Sequence, residues 1–111
     1  MLICFIILLL YSQVDDVDWR TFGIDRVISH PEKAGKQVGS KQLNSVDKCK
    51  TFCNANTHCG NFQFRRETPG APPGSPYGVT WCALYDGQLT GHEQTTHLVG
   101  FEQWFKVPNA V

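Results

Sequence analysis

Four cysteines at positions 49, 53, 59 and 82 constrain this chain more than any other feature. The chain is 111 residues long, room for one domain and one modest core, and at that size cross-links commonly supply what burial cannot. A fifth cysteine, Cys4, falls in the apolar run Leu2–Tyr11 (LICFIILLLY), about ten residues, which is the length of a signal-peptide core and well short of the ~20 needed to cross a bilayer. We therefore expect a signal peptide over residues 1–12, with Ser12 a small residue suited to the cleavage point, although no lysine or arginine precedes the run. Removing Cys4 leaves Cys49, Cys53, Cys59 and Cys82, an even set that in a short exported chain implies two disulfides and an extracellular destination. The acidic stretch containing Asp15, Asp16 and Asp18 suits an exposed leader over 13–21, and the domain is expected over 22–107. No other stretch is apolar enough to span a membrane.

Asn44 and Ser45 are both good N-cap residues, and Asp47 lies in the first turn that would follow, so a helix is expected from about Ser45 to Asn54. At ~100° per residue, Val46, Cys49, Phe52 and Cys53 share an arc of about 120°, with Lys48 and Lys50 on its flanks. The cysteines thus face the core. Cys49 does not suit Cys53 as a partner, because i,i+4 side chains sit ~5–6 Å apart at Cβ where a disulfide wants ~3.5–4.5 Å. Residue chemistry leaves two pairings open: Cys49–Cys82 with Cys53–Cys59, or Cys49–Cys59 with Cys53–Cys82.

The remaining elements follow from alternation and punctuation. Trp19–His30 mixes aromatic and β-branched residues and predicts an extended segment ending at Pro31. Glu32–Gln42 is polar and glycine-punctuated, with room for a loop and one short strand. Phe62-Gln63-Phe64-Arg65 alternates at the period of a half-buried strand, and Val79–Tyr85 resumes as its hairpin partner. Between them, residues 67–78 carry Pro69, Pro72, Pro73 and Pro76 and predict a long surface loop. Gln88–His97 is ambiguous, and a last strand is expected over Val99–Val107, before Pro108. Phe62, Phe64, Trp81, Leu84 and Phe101 are assigned to the core, whereas Trp19, Tyr77 and Tyr85 are less constrained.

The segments Ser45-Val46-Asp47-Lys48-Cys49, Cys53, Cys59-Gly60-Asn61-Phe62-Gln63-Phe64, Trp81-Cys82-Ala83-Leu84 and Gly100-Phe101-Glu102 together resemble the PAN/apple domains. The resemblance covers roughly residues 38–106. It departs from the family in the long proline-rich insert before Trp81 and in Trp104, where a tyrosine is usual. It implies an α+β fold, a small antiparallel sheet of about five strands curled around one helix, and a nested pairing of Cys49 with Cys82 and Cys53 with Cys59. It also implies binding of extracellular protein or carbohydrate, without naming the ligand.

No catalytic fingerprint is present: the chain lacks G-x-S-x-G, a P-loop and a dinucleotide motif, and His30, His58, His92 and His97 show no metal-ligand spacing. We expect no enzyme activity, no metal, no cofactor and no nucleic-acid partner. Charge balances overall but not locally. Between Arg20 and Arg66 nine Lys and Arg residues face three acids, and after Arg66 Lys106 alone faces four. A basic region can meet an anionic partner, with Lys48, Lys50, Arg65 and Arg66 the candidate ligand-binding residues. The expected function is secreted recognition of a protein or glycan, an anionic glycan in its specific form. The runner-up is a secreted, toxin-like modulator of a receptor or protease.

Overall fold

A computed structural model describes residues 17–67, 70, 72, 74 and 78–107. The expected signal peptide, most of the leader, Tyr77 and most of the proline-rich loop lie outside the described residues. The elements are β1 (Asp18–Thr21), β2 (Arg26–Ile28), a 3-10 turn (Pro31–Ala34), β3 (Gln37–Lys41), helix α1 (Val46–Ala55), β4 (Asn61–Arg65), β5 (Trp81–Tyr85), β6 (Thr95–His97) and β7 (Phe101–Val107). The fold is α+β, with one α-helix and a sheet of seven strands among the described residues, where about five were expected. The additional strands are short: Trp19–His30 breaks into β1 and β2, and the ambiguous Gln88–His97 ends in β6.

Strand order is β3-β5-β4-β7-β2-β6, with β1 also paired to β7. The β4–β5 and β4–β7 pairs are antiparallel, and the expected β4–β5 hairpin is present. The sheet is mixed, because β2 meets β7 in parallel at Arg26 opposite Glu102. Asp18–Thr21, at the end of the expected leader, pairs with Trp104–Val107.

Alternation along the central strands gives the sheet two buried faces, each with its own cluster. On one face α1 packs Cys49 and Cys53 against Phe62, Phe64, Cys82 and Leu84. Trp19 and Trp104 close the side of this cluster, Trp19 meeting Phe62 edge-on at 5.4 Å between ring centroids. On the other face Ile28, Ala34, Leu89 and Phe105 form a second cluster, with Phe22 and Tyr85 against it. Asn61 and Gln103 are fully buried. Trp81 departs from its expected core position: it is 37 % exposed. Its side chain lies on the face away from the helix, at the end of the sheet opposite the second cluster's 3-10 turn, so neither cluster covers it.

Helix α1 begins where its cap dictates. The Ser45 hydroxyl accepts the Lys48 N–H at 3.2 Å, satisfying one of the donors the first turn leaves open. At its other end, the Lys106 ammonium donates to the Cys53 carbonyl at 3.4 Å, a favourable position for a cation. Burial pushes the Lys106 pKa down. Asn56 then ties the helix exit to β3, donating from Nδ2 to the Val38 carbonyl at 3.2 Å.

Candidate ligand-binding groove

The helix cap and the edge strand β3 leave a groove between them. Its cavity is about 420 Å³, with Leu43, Phe52 and Ala55 forming an apolar wall and Lys41, Lys48 and Asp47 at its polar margin. A second hollow of about 290 Å³ shares Leu43 and Lys48 and extends the groove toward Gln42, Asn44 and Thr80. Phe52 is half-buried because its ring sits beside Gly39 and Leu84 of the sheet while part of it faces the groove. The Lys41 ammonium lies 5.7 Å from the Phe52 ring centroid, a cation–π distance that holds a positive charge over the apolar wall. The groove can therefore accept a ligand that is anionic at one edge and apolar along one side.

The four candidate residues do not form one patch. Lys48 is exposed and lines both hollows. Lys50 turns the other way: its ammonium stands 4.4 Å from the Trp104 ring centroid, its side chain is 27 % exposed, and Asp47 is 4.0 Å from it. Arg65 lies on the opposite face of the sheet from the helix and donates to the Val79 carbonyl at 3.5 Å. Arg66 is paired with the Asp25 carboxylate. Two residues that sequence reasoning did not select, Lys41 and Leu43, complete the groove. Their signal was faint: Lys41 and Lys48 bracket the helix start, a relation that becomes spatial only once β3 lies beside α1.

The cysteines meet in the first cluster. Cys53 and Cys59 are joined, with Cα atoms 5.3 Å apart. The chain leaves α1 through a turn in which Cys59 N–H donates to the Asn56 carbonyl at 3.1 Å, and this brings the two sulfurs together. Cys49 and Cys82 stand as fully buried thiols. A hydrogen bond with Cys82, reinforced by burial, pushes the Cys49 pKa far above the ordinary thiol range and suppresses its thiolate. Such a thiol is a poor nucleophile.

Among the described residues no group of three or more His, Cys, Asp or Glu side chains could hold a metal, and no helix is long and apolar enough to cross a membrane. No protein-family model and no curated protein matches the chain in sequence.

Proposed function

We propose that this chain is a secreted recognition module of the PAN/apple type that binds an anionic glycan in the groove between α1 and β3. The observation that carries this reading is that Lys41 and Lys48 line one apolar-walled groove, with the Lys41 ammonium over the Phe52 ring. Sulfates or carboxylates of a glycan would meet the two lysines while the sugar rings lie along Phe52 and Leu43. Asp47 stands at the same groove with its side chain 94 % exposed, so solvent and salt screen its repulsion of an anion. The resemblance over residues 38–106, with its helix-borne cysteine pair, supports the extracellular setting.

Retention on immobilised heparin tests the reading. The wild type is expected to elute above physiological salt. Lys41→Ala/Lys48→Ala should lose roughly three- to tenfold in affinity, since each exposed charge contact is worth up to ~1 kcal/mol. Lys50→Ala should elute close to the wild type, because that lysine stands over Trp104. A wild type that elutes below physiological salt, or a double variant that elutes with it, would set the glycan aside.

A further inference from the structure

The groove does not stop at Phe52. A third hollow, of about 370 Å³, is lined by Phe52, Ala55, Asn56 and Thr57. It shares Phe52 and Ala55 with the main cavity, just as the main cavity shares Leu43 and Lys48 with the hollow at the helix start, so the three follow one another along α1. From Lys48 to Ala55 the helix axis advances ~10 Å at ~1.5 Å per residue, which is longer than a single sugar ring.

The far end of the groove is held against the sheet. Asn56 donates from Nδ2 to the Val38 carbonyl at 3.2 Å while its Oδ1 accepts the His58 N–H at 2.9 Å, so the turn that carries Thr57 is fixed beside β3. Gln37 and Asn61 both stand opposite Tyr85, which places this end away from the connection that joins Arg65 to Trp81. Asp18 and Val107, where β1 and β7 begin and end, are separated from β3 by β5 and β4.

The two ends differ in charge. Lys41 and Lys48 line the main cavity, and Lys48 also lines the hollow at the helix start, whereas no charged side chain lines the third hollow. Its walls are the Phe52 ring and the Ala55 methyl, with the Asn56 amide and the exposed Thr57, whose hydroxyl enters no hydrogen bond among the described residues. An acidic group seated there would give up water without meeting a cation, while an uncharged sugar would lay its C–H face on the apolar wall and bring a hydroxyl to Thr57. Building on the glycan reading above, we infer that the groove takes its ligand lengthwise and in one polarity. Acidic groups meet Lys41 and Lys48, and an uncharged sugar unit occupies the end at Phe52, Asn56 and Thr57. The ligand class is then a glycan sulfated toward one end, not evenly along its length.

Amide NMR titration with synthetic oligosaccharides tests this. The ligands are two tetrasaccharides sulfated on one half only, at the reducing or the non-reducing end, the sulfated disaccharide alone, and a tetrasaccharide sulfated throughout. One half-sulfated tetrasaccharide should bind about three- to tenfold more tightly than the disaccharide and shift Asn56 and Thr57, which the disaccharide leaves unmoved. The evenly sulfated ligand should bind no more tightly than that tetrasaccharide. Thr57→Ala changes an exposed side chain, so the variant should fold; it should narrow the gap about two- to fivefold and leave disaccharide binding unchanged. Asn56 and Thr57 unmoved by every ligand that shifts Lys41 and Lys48, half-sulfated ligands that bind no better than the disaccharide, a gap that Thr57→Ala leaves intact, or tightest binding of the evenly sulfated ligand would each overturn the inference and leave the groove a glycan site. Failure of all four ligands to bind would remove the glycan reading itself, and this inference with it.

Discussion

Gln103 on β7 donates from Nε2 to the Oδ1 of Asn61 on β4 at 3.1 Å, and both side chains are fully buried. Each amide is then used on its remaining side. Gln103 Oε1 accepts the Ile28 N–H at 3.0 Å, while Asn61 Nδ2 donates to the carbonyls of Ala34 at 3.1 Å and Gly87 at 2.8 Å. The pair fastens β2, the 3-10 turn and the loop after β5 to the central strands.

Gln103→Leu should therefore cost about 2–4 kcal/mol, because it leaves the buried Ile28 N–H and one side of Asn61 unsatisfied. Urea unfolding followed by tryptophan fluorescence measures it. A loss below about 0.5 kcal/mol would mean that water or a shifted side chain replaces these bonds.

Two small glycines set a limit on the same region. A Cβ on Gly87 would collide with the Ala34 carbonyl, and one on Gly60 with the Gly87 carbonyl. Gly87→Ala must push apart backbone that cannot bend away, and a melting temperature lowered by several degrees is expected, corresponding to about 1–3 kcal/mol. An unchanged melting temperature would contradict this packing.

The cysteine arrangement makes a separate prediction. Non-reducing peptide mapping of the protein should find Cys53 joined to Cys59 and, as the PAN/apple resemblance implies, Cys49 joined to Cys82, which stand as buried free thiols in the same core cluster. The longer loop should stabilise the protein by roughly 3–4 kcal/mol and the shorter by roughly 2–3, on chain-entropy arithmetic. Alkylation of Cys49 or Cys82 in the unfolded, non-reduced protein would show that the second cross-link does not form.

Glu93 gives the molecule a defined response to acid. Partial desolvation raises its pKa, but the Thr90 N–H and hydroxyl and the Gly91 N–H, at 2.8–3.0 Å, together outweigh that and hold it below the usual carboxylate range. Because the folded pKa is the lower one, its contribution is present above the ordinary value of 4.5 and is lost as pH falls through the folded value. A carboxyl NMR titration should place Glu93 below the ordinary value, and Glu93→Gln should flatten the acid limb of the stability profile. A midpoint at or above 4.5 would contradict the turn geometry.

Much of the fold was legible locally. Ser45 and the arc of Val46, Cys49, Phe52 and Cys53 define α1, and alternation defines β4, β5 and β7. β6 was not legible, and neither was the break of the extended segment Trp19–His30 into β1 and β2, because strands of three or four residues carry too few alternations to stand out from turns. The site was harder. Lys48 and Lys50 look equivalent on the helix, yet Lys50 is drawn over Trp104, a partner 54 positions away that no local pattern announces. Arg66 is likewise taken by Asp25, a residue 41 positions earlier in the chain. Long-range pairing, which spacing cannot show, decided which basic residues stayed available.

The central claim is that the groove between α1 and β3 is the recognition site. Amide NMR titration of the oxidised protein with a sulfated hexasaccharide tests it most directly. The account predicts saturable shifts at Lys41, Leu43, Lys48, Phe52 and Ala55, weakened by Lys41→Ala/Lys48→Ala, with Arg66 and Gly100 unmoved. Shifts confined to the opposite sheet face around Arg65 and Trp81, or no shifts at millimolar ligand, would contradict it.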